Sequence, residues 1–400
     1  MASQGNFGEI HKGWTIAACV VALLLIATGA QAQTFTILHN FAGGADGSQP
    51  TAGLSMDRAG NLYGTAAYDG NESGNCSRFD GCGTVYKLAR KNSSWLFYTL
   101  YKFSGPDGQN PQARVIIGPD GNLYGTTIAG GAANAGTVFR LQPPATACKA
   151  YSCPWTETVL YSFQGGSDGA NPQYGDLTFD QAGNIYGTTP YGGSSNIGVV
   201  YELSPTNGSW TETILHTFDG SDGYQPYAGV IFDGAGNLYG TTSSGGGGGN
   251  GNVYKLTHSG SGWVVSTIHD FAFPGGAYGG LISDSSGNLY GITFFNPQVY
   301  ELSPFNGGWT YSVLFNFGGY GAVAAPTMDA AGNLYGTIVL GSNEVFRLTA
   351  SGGHWTLTGF NGSAGEEPFC NMVLDTSGNL YGTASVGGAY DGGVVFEITP

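Results

Sequence analysis

Seven near-identical pentapeptides constrain this chain more than any other feature. Gly-Asn-Leu-Tyr-Gly stands at Gly60–Gly64, Gly121–Gly125, Gly236–Gly240, Gly287–Gly291, Gly332–Gly336 and Gly378–Gly382, and Gly-Asn-Ile-Tyr-Gly at Gly183–Gly187. Self-similarity at this kind of period is the mark of a repeat architecture, in which one supersecondary unit is copied and stacked. Seven copies predict seven units.

The unit can be read from the copy around Gly183. Tyr174–Phe179 alternates apolar and polar residues and reads as a first strand. Asp180 to Asn184 is a tight turn, with an aspartate able to bond the amides ahead of it and a glycine able to take positive φ. Asn184–Thr189 is a second strand, followed by the glycine-rich loop Tyr191–Asn196. A third strand ends at Tyr201-Glu202-Leu203, Ser204–Ser209 turns the chain, and Trp210–Phe218 is a fourth strand. Four short antiparallel strands per unit match a propeller blade. Glycine, 71 of the 400 residues, lies between aromatic and β-branched runs without a Gly-X-Y period, which fits an all-β chain and excludes collagen.

The ends of the chain predict how the array closes. Fourth strands begin at Trp95, Trp155, Trp210, Trp263, Trp309 and Trp355, one fewer than the number of units. The segment Thr34–Phe41 has no unit of its own and resembles Thr211–Phe218. We therefore expect a seven-bladed β-propeller of four-stranded antiparallel blades, with strand 34–41 joining the last blade as its outer strand and removing the open edges. An open solenoid is the alternative and requires polar caps. The seven pentapeptide tyrosines are expected between blades, their hydroxyls bonded; a ligand platform is the sharper reading of them.

Residues 1–32 read as a signal peptide. His11 and Lys12 precede the apolar run Ile16–Thr28, and Ala30-Gln31-Ala32 gives a small-x-small cleavage pattern, leaving 33–400 as a single exported domain. The run is short for a membrane span and no second one follows. Periplasmic or extracellular residence is the expectation, as a monomer. A net charge of −15 with 12 Lys and Arg argues against nucleic acid and anionic membranes. Cys19 falls in the leader. Cys76 with Cys82, and Cys148 with Cys153, are close pairs in insertions that shorter units lack; two disulfide-closed loops are expected, with zinc as the rival for these four. Cys370 is left over as a buried free thiol.

Candidate chemistry lies on the loop face, where the links between blades and the loops after second strands meet. Four links share Asp-Gly-x-[Gln/Asn]-Pro, at Asp46–Pro50, Asp107–Pro111, Asp168–Pro172 and Asp222–Pro226. Asp46, Asp107, Asp168 and Asp222 could offer a hard cation such as calcium, or a polyol, oxygen ligands at the channel mouth. The structural reading has Asp-Gly starting a turn and proline fixing entry to the next strand. Tyr68, Tyr191, Phe294, Phe295 and Tyr320 could stack on sugars or simply pack. Gly245–Gly249 is not a phosphate loop, and there is no GxSxG elbow or HExxH pair. His39, His216 and His269 recur at one fourth-strand position, which reads as packing.

The full pattern runs Asp-x-x-Gly-Asn-Leu-Tyr-Gly-Thr-Thr, a Gly-Gly loop, Gly-x-Val-[Tyr/Phe]-x-Leu, then Trp-x-x-x-x-Leu-[Tyr/His]-x-Phe and Asp-Gly-x-x-Pro. It resembles the GloVer tandem repeat of exported bacterial proteins, over Thr34–Pro400. The resemblance implies an exported propeller and carries over no catalytic residues. Pro400 directly follows a strand here, unlike the anchored members. The aspartate turn alone is similar to that of NHL-type and gluconolactonase-like propellers, whose central metal is held by acidic and amide residues; no such set aligns here. Two functions are expected to compete. One is a non-enzymatic binding scaffold for a glycan, peptide or protein ligand. The other is a metal-dependent hydrolase, lactonase or lyase with an acidic site at the channel mouth.

Overall fold

The computed structural model describes Met1 and residues 33–399, apart from 72–75, 77–80, 93, 146–154, 261, 273–275, 318–320, 322, 340–343, 352 and 360–363. The leader with Cys19, the pair Cys148 and Cys153, and Tyr320 lie outside the described residues. The chain forms seven four-stranded antiparallel sheets, the blades of a propeller, plus a two-stranded ladder on the loop face. In blade four the strands run from the axis outward as Ile231–Phe232, Leu238–Thr241, Asn252–Ser259 and Gly262–Asp270.

Burial along each strand follows from stacking every sheet between two others. The second strands, such as Leu123–Thr127, are buried along their length because both faces are covered, with half-buried Tyr290 of blade five the exception. Third strands are buried in their first half and emerge at the rim, while outer strands such as Ser209–Thr217 alternate exposed and half-buried. That gradient is why the second strands read as unbroken apolar or small residues and the outer ones as alternating.

The repeated pentapeptide now has a physical explanation at both glycines. The leading glycine of each copy sits at positive φ, as at Gly236 (φ 82°), in the turn between first and second strands. The closing glycine lies beneath an aromatic ring of the third strand. A Cβ on Gly240 would stand 2.3 Å from the Tyr254 hydroxyl, and one on Gly125 would stand 2.7 Å from the Phe139 ring. Between them, the tyrosine reaches across the seam. Tyr63, Tyr239 and Tyr381 meet Trp155, Trp309 and Trp95 of the following blade at centroid distances of 6.2, 5.9 and 5.8 Å. The tyrosines are seam residues, as expected.

Closure takes the expected form. Thr34–Asn40 pairs antiparallel with Val394–Thr399 and completes the seventh blade from the other end of the chain. It also carries the β-bulge found in every other outer strand: Leu38 is the extra residue here, as Leu100, Leu160, Leu215, Ile268, Leu314 and Leu357 are elsewhere. Phe41 then lies fully buried, 5.1 Å from Tyr86 of blade one.

Two boundaries differ from the sequence reading. The first strand of blade three is only Thr178–Phe179, because Tyr174 to Leu177 bends into the axis, where inner segments of neighbouring blades touch backbone to backbone. The turn read at Ser204–Ser209 contracts to Asn207-Gly208, both at positive φ, and the strands run on to Thr206 and from Ser209. This is the two-residue hairpin geometry that Asn-Gly favours.

Candidate functional site

The aspartate turns are clamps. Asp233 Oδ1 accepts from the amides of Ala235 and Asn237, and Oδ2 accepts from Asn237 Nδ2 and the Tyr239 hydroxyl. Burial works to raise its pKa, but the bonds from Asn237, Tyr239 and Ala235 outweigh it and hold the carboxyl below its usual range. Blade two has Gly118 at this position. Asp120, two residues later, takes over and binds Asn122 Nδ2 and the Tyr124 hydroxyl.

The Asp-Gly-x-[Gln/Asn]-Pro links clip one blade to the next. Asp107 accepts from the Tyr101 hydroxyl at 2.5 Å and from Ser104; Asp168 accepts from the Gln164 amide at 2.7 Å and the Tyr161 hydroxyl at 3.2 Å. Asp222 meets His216 Nε2 at 2.7 Å, and Asp46 lies 3.4 Å from His39 Nε2. The amide residues Gln49, Asn110, Asn171 and Gln225 all take positive φ, the conformation that asparagine tolerates best. Asn110 and Asn171 also bond back to the carbonyls of Ala67 and Ile128. The structure does not bring the four aspartates together: each is held by the outer strand before it. Among the described residues no group of three or more His, Cys, Asp or Glu is placed to hold a metal ion.

Two of these links carry a second carboxyl group. The Tyr161 hydroxyl lies 3.1 Å from Glu212 of blade three as well as beside Asp168. Burial, reinforced by Asp168, pushes Glu212 up to about 8. Burial and the charge of Asp107 do the same to Glu157, also to about 8. Histidines pack at the matching position of other seams, His39 stacked on Phe97 at 3.8 Å and His269 on Tyr311 at 4.0 Å, and burial lowers both pKa values. Cys76 and Cys82 form a disulfide. Cys370 is a buried free thiol pushed up to about 11 by burial, an unreactive state.

The axis holds the most distinctive arrangement. Arg114 of blade two donates to Asp176 of blade three at 2.7 Å, and Asn371 of blade seven donates to the same Asp176 oxygen at 3.3 Å. All three line a cavity of about 330 Å³ with Tyr174, Gly229, Gly280, Val323 and Ala325. From Tyr174 a chain of rings runs through the inner links. Tyr227 is 6.2 Å away, Tyr278 stacks on Tyr227 at 4.9 Å, and Phe294 leans on Tyr278 at 4.5 Å. The Tyr191 and Tyr227 hydroxyls meet at 3.4 Å. Of the loop aromatics picked from the sequence, Tyr191 and Phe294 join this cluster directly, Phe295 packs edge-on to Phe294, and the Tyr68 backbone pairs with Ser48. Arg114, Asp176, Asn371, Tyr174, Tyr227 and Tyr278 were missed. Their signal was positional: they sit just after the link, where the seven copies disagree.

Fold and site together define a closed seven-bladed propeller with a ligand-sized axial cavity under an aromatic mouth. The chain belongs to the Gloeobacter/Verrucomicrobia repeat family, which matches residues 25–230, 151–344 and 235–400. No curated protein matches it. Solved structures share the fold at low identity. A fungal alcohol oxidase of the AA5 family, in complex with copper, is 12% identical with a TM-score of 0.57, over 92% of this chain and 76% of that one. PorZ, a surface component of the type-IX secretion system of Porphyromonas gingivalis, is 13% identical with a TM-score of 0.51, over 90% and 47%. A Bacteroides uniformis protein assigned as a 6-phosphogluconolactonase is 16% identical with a TM-score of 0.50, over 77% and 83%. Such likeness establishes the propeller and nothing finer.

Proposed function

We propose that this protein is an exported, non-enzymatic propeller that binds a glycan, peptide or protein ligand through its loop face, centred on the channel mouth. The observation that carries this reading is the ring chain Phe294–Tyr278–Tyr227–Tyr174, which leads to the cavity holding Arg114, Asp176 and Asn371. Aromatic walls around a few convergent polar groups are the usual make-up of a small-molecule site. Export is supported by the leader sequence and by the Cys76–Cys82 disulfide, a bond kept in oxidising compartments. No helix among the described residues is long and apolar enough to cross a membrane.

The test is hydrogen exchange on residues 33–400 with and without ligands taken from a glycan and peptide screen. Protection at 170–176, 224–228 and 276–280 supports the reading. Protection confined to the aspartate turns on the opposite face defeats it.

The acid–amide pair Asp176 and Asn371 in the channel favours a second reading, a metal-dependent lactonase or related hydrolase. Its test is lactone hydrolysis with added divalent metal. Turnover abolished by Asp176→Asn would establish it, and absence of turnover across the metals would remove it.

A further inference from the structure

The polar groups and the empty space in the axial cavity come from different blades, and together they specify a ligand. Arg114, Asp176 and Asn371 project from blades two, three and seven. The corresponding positions of blades four, five and six are Gly229, Gly280 and Ala325, which leave the cavity open on that side. Gly229 is forced by packing, since a Cβ there would lie 2.0 Å from the Asp176 carbonyl. Gly280 is not: a Cβ there meets only ordinary contacts, Ala325 at 3.7 Å and Ala228 at 3.8 Å. Packing alone does not demand a glycine at 280, so its effect is to keep the cavity wide.

The polar side is locally neutral and incompletely bonded. Asp176 compensates Arg114, and both Arg114 and Asn371 use its Oδ2, leaving Oδ1 outside these bonds. The Arg114 Nε is buried with no hydrogen-bond partner among the described residues. A carboxylate oxygen beside an amide and a guanidinium offers acceptors and donors a few ångströms apart, a match for neighbouring hydroxyl groups. Tyr174 supplies an aromatic wall to the same space. Its volume of about 330 Å³ falls at the small end of the range for ligand sites. The net charge of −15 disfavours an acidic ligand.

We propose that the axial cavity framed by Tyr174, Arg114, Asp176 and Asn371 is a subsite for one neutral sugar ring of a glycan, stacked on Tyr174 with its hydroxyls bonded to Asp176 and Asn371. The proposal rests on the loop-face reading and narrows it to one ligand class and one place. Titration calorimetry of residues 33–400 tests it, with neutral cello-, xylo-, manno- and galacto-oligosaccharides as probes and oligogalacturonates as the acidic arm. The expected result is binding of at least one neutral series. Gly280→Val, which fills the cavity, should weaken it about tenfold or more with the melting temperature unchanged, and Tyr174→Ala should do the same while Tyr174→Phe retains binding. If Gly280→Val fails to fold, the Tyr174 pair decides. The proposal is overturned if no neutral oligosaccharide binds, if only the acidic arm binds, or if binding ignores these substitutions. A ligand that protects the loop face yet is indifferent to Gly280→Val and Tyr174→Ala would overturn this subsite and leave the loop-face reading standing.

Discussion

The Thr383 hydroxyl of blade seven donates to the Ala52 carbonyl at the entry to blade one, at 2.7 Å. The same bond links Thr65 to Ala113, Thr188 to Ala228, Thr241 to Gly279 and Thr337 to Cys370. The junction between the two ends of the chain is therefore built like the junctions inside it. Deleting 34–41 removes the outer strand and the fully buried Phe41, whose burial alone is worth about 1.5–3 kcal/mol. The shortened chain should melt at lower temperature and self-associate through the edge at Val394–Thr399, read by thermal unfolding and size-exclusion chromatography. An unchanged melt with a monomeric profile would contradict closure.

Gly240 and Gly236 should respond differently to substitution. Gly240→Ala drives a methyl into Tyr254 and should cost about 1–3 kcal/mol or more in urea unfolding. Gly236 has open space around it, so only its positive φ matters. Gly236→Asn should therefore be milder than Gly236→Val, because asparagine tolerates the left-handed region.

The clamp at Asp233 should be structural and acid-sensitive. Asp233→Ala leaves Asn237 and Tyr239 without their acceptor and should destabilise by about 1–3 kcal/mol. The folded-state pKa is depressed, so the clamp's contribution is full above the ordinary aspartate value of 3.8 and is lost as pH falls through the lower folded value. The acid limb of the stability–pH curve should be shallower in Asp233→Ala than in the parent.

Glu212 acts in the opposite direction. Its pKa rises from 4.5 to about 8 on folding, so its contribution is full below 4.5 and is lost as pH climbs toward 8. Glu212→Gln keeps a neutral side chain at every pH. It should flatten the stability profile over that interval and be more stable than the parent at the alkaline end, as chemical denaturation at stepped pH would show. Equal slopes would mean that Glu212 is ionised in the fold.

Blade number, closure and the seating of the seven tyrosines were legible in the sequence because stacking imposes the same demand on every copy. A ring over Gly240 and a hydroxyl on Asp233 recur wherever the unit recurs, and recurrence is what a single sequence displays. The axial site was not legible for the complementary reason. Arg114, Asp176 and Asn371 lie 62 and 195 residues apart and meet only when the ring closes. Asp120 was missed because a shift of two residues preserves the clamp but breaks the pattern. The tightness of Asn207-Gly208 was hidden because the strand ends flanking it are exposed and lack an apolar signal.

The pairing of Thr34–Asn40 with Val394–Thr399 sets the order of manufacture against the order of closure. A ribosome extends a chain at about 5–20 residues per second, so the first strand waits, unpaired, until the last blade has been made. Every interrupted product that ends before Val394 displays the same vacant strand, wherever the interruption falls. Completion of the ring is thus reported at one place on the molecular surface, as a paired or an open strand edge.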